Sequence, residues 1–388
     1  MLTRRTFLGS SSLVALSGAV PLFVPRSVRA AAPDKDARVL VVVEMDGGND
    51  ALNTVVPHAD EAYARLRPTL KLDPRRLVRV TDAVGLHPAL RPLDRLLSAG
   101  NLAVLPGVGY PNPNRSHFES MAMWHTARFD PDELKGYGWL GRAMDHTSGP
   151  LFSVGGEVPT ALRGRRSSAV AFKRTEEVRL SDPTAARAGT GPEPTDDLLA
   201  FVRRQAVDAH AAAGRLAALG VDNAGPGYPQ TDLAESLKLV AKLLKAGLGA
   251  RVFFTQQSGY DTHARQHLAH ANLLGEFAGA VAAFFADLTA SKLDDRVTLM
   301  SFSEFGRGIR ENGSAGTDHG TAGACFVAGP TVNGGLVGTM PSLTDLENRE
   351  PKMTTDFRGL YAAVLSTWLG VSPEAGLAGV QRPALFRA

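Results

Sequence analysis

Five short stretches of this 388-residue chain combine acidic, histidine and serine side chains that could do chemistry. They contain Asp46 with Asp50, Ser116 with His117, Asp261 with His263, Ser303 with Glu304, and Asp318 with His319. Carboxylates and imidazoles together bind divalent metal ions, and a serine at a helix N-terminus can serve as a nucleophile. If the fold brings these stretches together, they predict one site for a metal ion and an anionic group.

The first three stretches also have structural interpretations. Asp50 and Ser116 could each be the cap of a helix. His117 and His263, taken singly, are more typical of structural histidines than of metal ligands. The pair of Asp261 and His263 is a stronger indication, because a carboxylate and an imidazole two residues apart on a loop can face one ion.

The last two stretches have distinctive neighbours. Glycines stand on both sides of Asp318-His319, and a tight turn alone would not need the Asp-His pair. Glu304 and Arg307 place a carboxylate and a guanidinium at the end of an apolar run. The alternative for these two residues is a surface ion pair that adds little stability.

The hydrophobic pattern indicates which elements position these residues. Runs typical of buried strands occupy 38–44, 102–108, 251–255, 296–302 and 324–328, and helical patterns occupy 118–125, 266–291 and 355–369. Alternating strands and helices predict an α/β fold with a mostly parallel central sheet and helices on both faces. The polar stretches then lie at the carboxyl ends of strands, where open α/β sheets bind ligands.

The middle of the chain has a different pattern. Amphipathic helices are predicted at 198–219 and 233–248, and loop-like composition occupies 175–195 and 222–231. We interpret residues 150–248 as a helical insertion or cap on a single α/β domain that covers residues 31–388.

Residues 1–30 have the pattern of a bacterial export signal. A twin-arginine motif at 3–8 precedes an apolar stretch at 13–24 and a small-residue cleavage site at 28–30. The alternative is a membrane anchor, but the apolar stretch is short and contains Ser, Gly and Pro. The sequence predicts a periplasmic or secreted protein with no stable membrane anchor and with the twin-arginine translocase as its export partner.

Charge and cysteine content exclude several functions. Of 42 basic side chains, four lie in residues 1–30, which hold no acidic residue. With 39 acidic side chains, the remaining chain has a formal charge of −1. Such a balanced surface is not expected to bind nucleic acid. The single cysteine, Cys325, excludes an internal disulfide and a multi-thiolate zinc site. Any metal would need oxygen and imidazole ligands.

At these stretches the chain resembles the DUF1501 family of exported bacterial proteins. The resemblance rests on the twin-arginine leader and on the segments 41–57, 109–124, 138–142, 258–263, 301–323 and 354–370. The family is placed in the alkaline phosphatase and sulfatase superfamily, so the resemblance implies an alkaline phosphatase-like α/β fold and metal-dependent chemistry.

The resemblance also implies roles for individual residues. The counterparts of the superfamily's metal ligands and nucleophile are Asp46 or Asp50, Ser116, Asp261 with His263, and His319. Between the two aspartates, the family pattern favours Asp50. The chain departs from the superfamily at Ser303-Glu304, where an Asp-His pair is usual, and this departure removes an imidazole from one of the two metals.

Two hypotheses follow from the sequence. The first is a metal-dependent hydrolase or transferase of phosphate or sulfate esters or a related small anionic substrate. Its nucleophile would be Ser116, and Arg115 and Arg307 would bind the anion. One or two divalent ions, of Zn, Mg, Ca or Mn, would be held by Asp46 or Asp50, Asp261, His263, Glu304, Asp318 and His319. The second hypothesis is a non-catalytic secreted binding protein that retains the fold.

Overall fold

The computed structural model describes residues 37–147, 150–167, 169–172 and 227–387 of the chain. The predicted export signal at 1–30, the predicted loop at 175–195 and the predicted helix at 198–219 lie outside the described residues. These three assignments stay predictions.

Strands and helices alternate through the described chain, as the hydrophobic pattern predicts. The strands are β1 (Val39–Asp46), β2 (Val55–Val56), β3 (Val78–Arg79), β4 (Gly85–Leu86), β5 (Leu102–Gly109), β6 (Leu151–Val154), β7 (Ala169–Phe172), β8 (Val252–Ser258), β9 (Val297–Phe302), β10 (Arg307–Glu311), β11 (Thr317–His319), β12 (Gly323–Ala328), β13 (Gly335–Leu336), β14 (Leu346–Glu347), β15 (Glu350–Pro351) and β16 (Thr355–Asp356). The helices are α1 (Ala51–Thr54), α2 (Glu61–Leu66), α3 (Asp94–Ser98), α4 (His117–Thr126), α5 (Trp139–Met144), α6 (Asp232–Lys245), α7 (Gln266–Ala290), α8 (Phe357–Ala363) and α9 (Ala375–Ala378). Short 3-10 helices occupy Pro74–Arg76, Pro88–Leu93, Glu133–Lys135, Thr160–Leu162 and Asp294–Arg296, and α8 continues into a π-helical turn at Val364–Trp368.

A nine-stranded sheet forms the centre of the fold, in the order β13-β5-β12-β9-β1-β8-β6-β7 with β16 also paired to β5. β1 pairs in parallel with β8 and β9, and β6 and β7 continue the parallel arrangement beyond β8. β12 runs antiparallel to its two neighbours. The predicted α/β class, with a mostly parallel sheet, is therefore confirmed.

β1 occupies the middle of this sheet because its sequence is apolar on both faces, as buried parallel strands require. Val41 and Val43 contribute to one hydrophobic cluster, and Leu40 and Val42 contribute to another. The first cluster includes apolar side chains of α6, α7 and the 3-10 helix Pro88–Leu93, and the second includes those of α4, α5 and α8. Helices thus cover both faces, as predicted.

Helix α7 is long and apolar enough to cross a membrane by length and composition alone. Half of its most apolar window is buried inside the protein, however, and its buried side chains belong to the first hydrophobic cluster. We therefore describe α7 as a core helix that packs on the sheet.

The interval 150–248, predicted as a helical insertion or cap, differs in part from that prediction. Residues 151–172 contain β6 and β7, which extend the edge of the central sheet beyond β8. Each of these strands has only four residues, which is too short to give a clear periodic signal in the sequence. Helix α6 agrees with the helix predicted at 233–248. A cap formed by the undescribed part of this interval stays a prediction.

Asp50 and Arg67 form a buried ion pair below the loop that follows β1. The Asp50 carboxylate lies 2.5 and 3.0 Å from the two terminal nitrogens of Arg67, and it accepts a hydrogen bond from Gln266. Both side chains of the pair are 0% exposed. Arg67 also donates to the carbonyl oxygens of Gly308 and Ile309, so the pair joins the segment 50–67 to β10.

Asp50, predicted as a metal ligand, is instead buried with both oxygens bonded to Arg67 and Gln266, and it is not in the group of side chains whose ligand atoms converge. Burial raises the pKa of the Asp50 carboxyl, but the charge and hydrogen bonds of Arg67 outweigh burial and hold the pKa below its ordinary value. Asp50 also caps α1 by accepting from the backbone N–H of Asn53. Its role is structural.

Replacing Asp50 with Asn should lower the free energy of unfolding by about 3–5 kcal/mol, because the buried Arg67 charge loses its partner. The matched control is Asp345→Asn, which removes an exposed ion pair with Lys352 and should change stability little. Urea titrations of both variants measure the difference, and equal effects would contradict a stabilising role for the buried pair.

The same pair predicts the pH dependence of stability. The folded-state pKa of Asp50 lies below its unfolded value. Its contribution is therefore present above the ordinary aspartate pKa and is lost as the pH falls through the folded-state value.

Candidate metal centre

The carboxyl ends of β1, β5, β8 and β9 lie at one edge of the central sheet, and most of the polar stretches follow them there. His117 begins α4 after β5, Asp261 and His263 follow β8, and Glu304 follows β9. His319 ends β11, which pairs with β10. Four of these residues converge, and their positions explain why segments far apart in sequence build one cluster.

Three histidines surround one oxygen of Asp261. The distances from Asp261 Oδ1 are 3.4 Å to His117 Nε2, 3.0 Å to His263 Nε2 and 3.3 Å to His319 Nε2. His319 Nε2 in turn lies 3.1 Å from His117 Nε2 and 2.9 Å from His263 Nε2. We call these four residues the histidine–aspartate cluster.

Hydrogen bonds on the far side of each ring determine which nitrogen carries the proton. His117 Nδ1 lies 2.7 Å from a carboxylate oxygen of Glu304, and His319 Nδ1 lies 2.8 Å from the carbonyl oxygen of Arg115. Both partners only accept hydrogen bonds, so both Nδ1 atoms carry protons. In the neutral rings, the Nε2 atoms of His117 and His319 then present lone pairs to each other and to Asp261.

Converging lone pairs repel one another unless a proton or a metal ion lies between them. His117, Asp261 and His319 each offer a ligand atom, and these atoms all lie within 4.8 Å of one another. Within the described residues this is the group of His, Cys, Asp and Glu side chains that could hold an ion. Two imidazoles and a carboxylate are donors that Zn²⁺ and other divalent transition metals accept, so the residues fit such an ion.

His263 and Asp318 lie beside this group of three. His263 Nδ1 is 3.5 Å from an oxygen of Asp318, whose side chain is 75% exposed. His263 Nε2 lies 2.9 Å from His319 Nε2, so the ring adjoins the group of three, and its predicted role as a ligand stays a prediction. Asp318, which was also predicted as a ligand, instead contacts the far side of the His263 ring.

The cluster is open to solvent on one side. The side chains of Asp261 and His263 are 48% and 46% exposed, whereas those of His117 and His319 are 29% and 24% exposed. A site that only stabilises the fold normally encloses its ion with four protein ligands. The partial exposure seen here leaves room for a small molecule to reach the cluster.

Arg307 is a structural residue and not the anion-binding residue that the sequence predicted. Its side chain is 0% exposed, and its Nη2 lies 2.5 Å from Asp261 Oδ1. Its other hydrogen bonds are to the carbonyl oxygens of Gly47, Gly48, Tyr260 and Thr317, and its Nη1 lies 3.5 Å from His263 Nε2. These contacts join the loops after β1 and β8 to β11 and leave the guanidinium no free face for a substrate.

The charge state of Asp261 follows from this contact. Partial burial raises the pKa of the Asp261 carboxyl, but the hydrogen bond and charge of Arg307, together with nearby imidazoles, outweigh burial and hold the pKa below its ordinary value. Asp261 is therefore a carboxylate at neutral pH, which is the form that binds a metal.

Glu304 does not reach the cluster centre, contrary to the prediction that it is a metal ligand. Its side chain is 0% exposed and accepts hydrogen bonds from the backbone N–H of Gly47 and from His117 Nδ1. Asp46, the other predicted ligand near Gly47, is half-buried. Within the described residues its carboxylate makes no hydrogen bond, and its carbonyl oxygen accepts from Tyr260.

The predicted nucleophile, Ser116, immediately precedes the cluster residue His117 and occupies the N-cap position of α4. Its hydroxyl does not bond to the first turn of the helix, although a serine at this position often does. Arg115 is exposed, and its carbonyl oxygen holds His319. The sequence analysis treated His117 as more typical of a structural histidine. The one sequence signal for a functional role was its position beside Ser116 at the start of a predicted helix.

Replacing Arg307 with Lys should lower the free energy of unfolding by about 2–4 kcal/mol, because one ammonium cannot satisfy acceptors on three segments. The control is Arg310→Lys on the exposed side of the same strand, β10, which should change stability little. Equal unfolding midpoints for the two variants in urea would contradict the structural role of Arg307.

Several solved structures share part of the chain path of this protein. The C-terminal periplasmic domain of EcEptC from Escherichia coli, in a complex with Zn, is 10% identical, with 92% of this chain and 88% of that chain covered at a TM-score of 0.40. A protein in the alkaline phosphatase superfamily from Vibrio parahaemolyticus is 11% identical, with 98% and 78% covered and a TM-score of 0.40. A putative sulfatase from Bacteroides thetaiotaomicron is 10% identical, with 89% and 73% covered and a TM-score of 0.37. These similarities are too distant to support a statement about the site of this chain.

Sequence comparison gives the family. No curated protein matches the chain. A family model described as "Protein of unknown function (DUF1501)" matches residues 37–375. Because that match includes every residue of the histidine–aspartate cluster and most of the 388 residues, the chain belongs to the DUF1501 family.

Proposed function

We propose that this protein binds a divalent transition metal ion at the histidine–aspartate cluster and uses it to hydrolyse or transfer a phosphate or sulfate ester. The observation that carries the proposal is the convergence of imidazole Nε2 atoms on the Asp261 carboxylate. His117, His319 and Asp261 would hold the ion, and His263 would add a fourth donor. A divalent ion bound there would supply Lewis-acid polarisation of an ester oxygen.

An anionic substrate is supported by the position of α4. This ten-residue helix begins at His117, so its N-terminal backbone N–H groups and its dipole favour negative charge next to the cluster. Arg115 is an exposed cation immediately before the helix and is the guanidinium available for the anion, since Arg307 is fully occupied. Ser116 lies between Arg115 and His117 and is the proposed nucleophile.

The proposed location is the periplasm or the cell exterior. The support is the twin-arginine motif at 3–8 and the apolar stretch at 13–24. Changing Arg4 and Arg5 together to Lys should keep the protein in the cytoplasm. Cell fractionation measures the result, and unchanged export of the double variant would contradict a twin-arginine route.

Removing a cluster residue should remove the metal. His319→Ala and Asp261→Ala should each lower metal content per chain, because each variant loses a donor from the group of three. The matched control is His267→Ala, which changes an exposed histidine on α7, outside the cluster. Elemental analysis of protein purified without chelator measures the outcome, and equal metal content in all variants would contradict this site.

Ser116→Ala separates the nucleophile from the metal. It should leave metal content near the wild-type value and abolish turnover of aryl phosphates or aryl sulfates, because Ser116 contributes to the reaction barrier and not to ion binding. A metal-loaded wild type that turns over neither ester would contradict the hydrolase proposal and favour a secreted binding protein.

A further inference from the structure

Glu304 is the most completely enclosed carboxylate next to the cluster. Its side chain is 0% exposed, its oxygens accept hydrogen bonds from Gly47 N and His117 Nδ1, and one of them lies 3.0 Å from Ser303 Oγ. Within the described residues the titratable group that contacts Glu304 is His117, and no Lys or Arg lies within ion-pair distance. A buried carboxylate normally needs a positive partner, and a metal ion bound to the far side of the His117 ring would supply that charge.

The backbone near β1 is shaped to hold this carboxylate. Gly47 adopts a φ of +116°, and a Cβ at this position would lie 2.5 Å from the backbone nitrogen of Asp261. Glycine therefore allows the loop after β1 to pass close to the loop after β8 while its N–H points at Glu304. Ser303 completes the support by donating to Met45 O and accepting from Asn49 N.

We propose that Glu304 is a positioning residue for His117, an inference that rests on the proposed metal site. By accepting the proton of Nδ1 at 2.7 Å, Glu304 keeps His117 in the tautomer whose Nε2 has a free lone pair. The negative charge also makes that Nε2 a stronger donor, as carboxylate partners do for metal-bound histidines. Glu304 thus acts on the ion through His117 and does not bind it.

The chain contains a matched control for this role. His125 lies two turns beyond His117 on α4, and its Nε2 is 2.5 Å from a carboxylate oxygen of Glu44 in β1. Glu44 is also buried, with a side-chain exposure of 6%. The two pairs share the helix and a contact between an imidazole and a buried carboxylate, although His125 uses Nε2 where His117 uses Nδ1, and His125 is not part of the cluster.

Glu304→Gln removes the charge and can keep the hydrogen bonds. The amide oxygen can still accept from His117 Nδ1 and Gly47 N, and the amide nitrogen can donate to Ser303 Oγ. The variant therefore tests the charge of Glu304 with little change in shape. Glu44→Gln makes the same chemical change at the control pair.

The experiment is a titration of wild type, Glu304→Gln and Glu44→Gln with Co²⁺, followed by its visible absorption bands and by competition with a chelator. Glu304→Gln should weaken Co²⁺ binding about 10–100-fold and shift the absorption bands, because a donor to the ion has changed. Glu44→Gln should bind Co²⁺ with the wild-type Kd and spectrum, even if both variants lose thermal stability.

Three other outcomes would contradict the positioning role of Glu304 or the metal site itself. Equal Kd values and spectra for Glu304→Gln and wild type would overturn the positioning role while leaving the metal site intact. Equal losses of Co²⁺ affinity in Glu304→Gln and Glu44→Gln would show a general effect of docking α4, which also overturns the role. A wild type that binds no Co²⁺ would overturn the metal site itself and Glu304's role with it.

Discussion

The buried guanidinium of Arg307 holds together the loops after β1 and β8 and strand β11, and it bonds directly to Asp261. Those loops have little regular structure of their own, and Arg307 adds to the backbone contacts that join them, such as Tyr260 N to Asp46 O and Thr317 N to Thr262 O. A planar, permanently charged group suits the task because its N–H donors can satisfy several carbonyl oxygens at once. The contact also keeps Asp261 ionised among the imidazoles. A buried residue that no substrate can reach therefore contributes to both the shape and the charge of the site.

The candidate site has two layers. The inner layer contains the possible ligand atoms, and the outer layer contains the groups that accept hydrogen bonds from the histidines. At the centre, imidazole nitrogens and one carboxylate oxygen present lone pairs to a common region. Around them, Glu304 and the carbonyl oxygen of Arg115 accept the protons of the opposite ring nitrogens. The orientation of His117 and His319 is thus fixed from outside, by groups that are themselves held by the sheet. The layers favour a cation at the centre, while the start of α4 favours an anion beside it.

Sequence reasoning predicted the sheet better than the site. The strands 38–44, 251–255 and 296–302 were predictable because parallel central strands are continuous apolar runs. The short edge strands β6 and β7 were not, since four residues carry no clear period. The expectation that polar residues at strand ends lie together holds for Asp261, His263 and His319, whose roles as metal ligands stay predictions. Asp50, Glu304 and Arg307 were assigned ligand or substrate roles because a sequence does not show whether a charged residue is exposed or paired inside. Their buried partners lie outside the short stretch that contains each residue. Arg67, the partner of Asp50, is 17 residues away, and Gly47, which donates to Glu304, is 257 residues away.

Isothermal titration calorimetry of the wild-type protein with Zn²⁺ tests the central claim most directly. We expect a single binding event with about one ion per chain, because the described residues form one group of converging donors and Glu304 and Asp50 are engaged elsewhere. Two ions of similar affinity per chain would contradict the single centre and favour the two-metal arrangement that the superfamily resemblance implies. Absence of any binding would contradict the metal centre altogether.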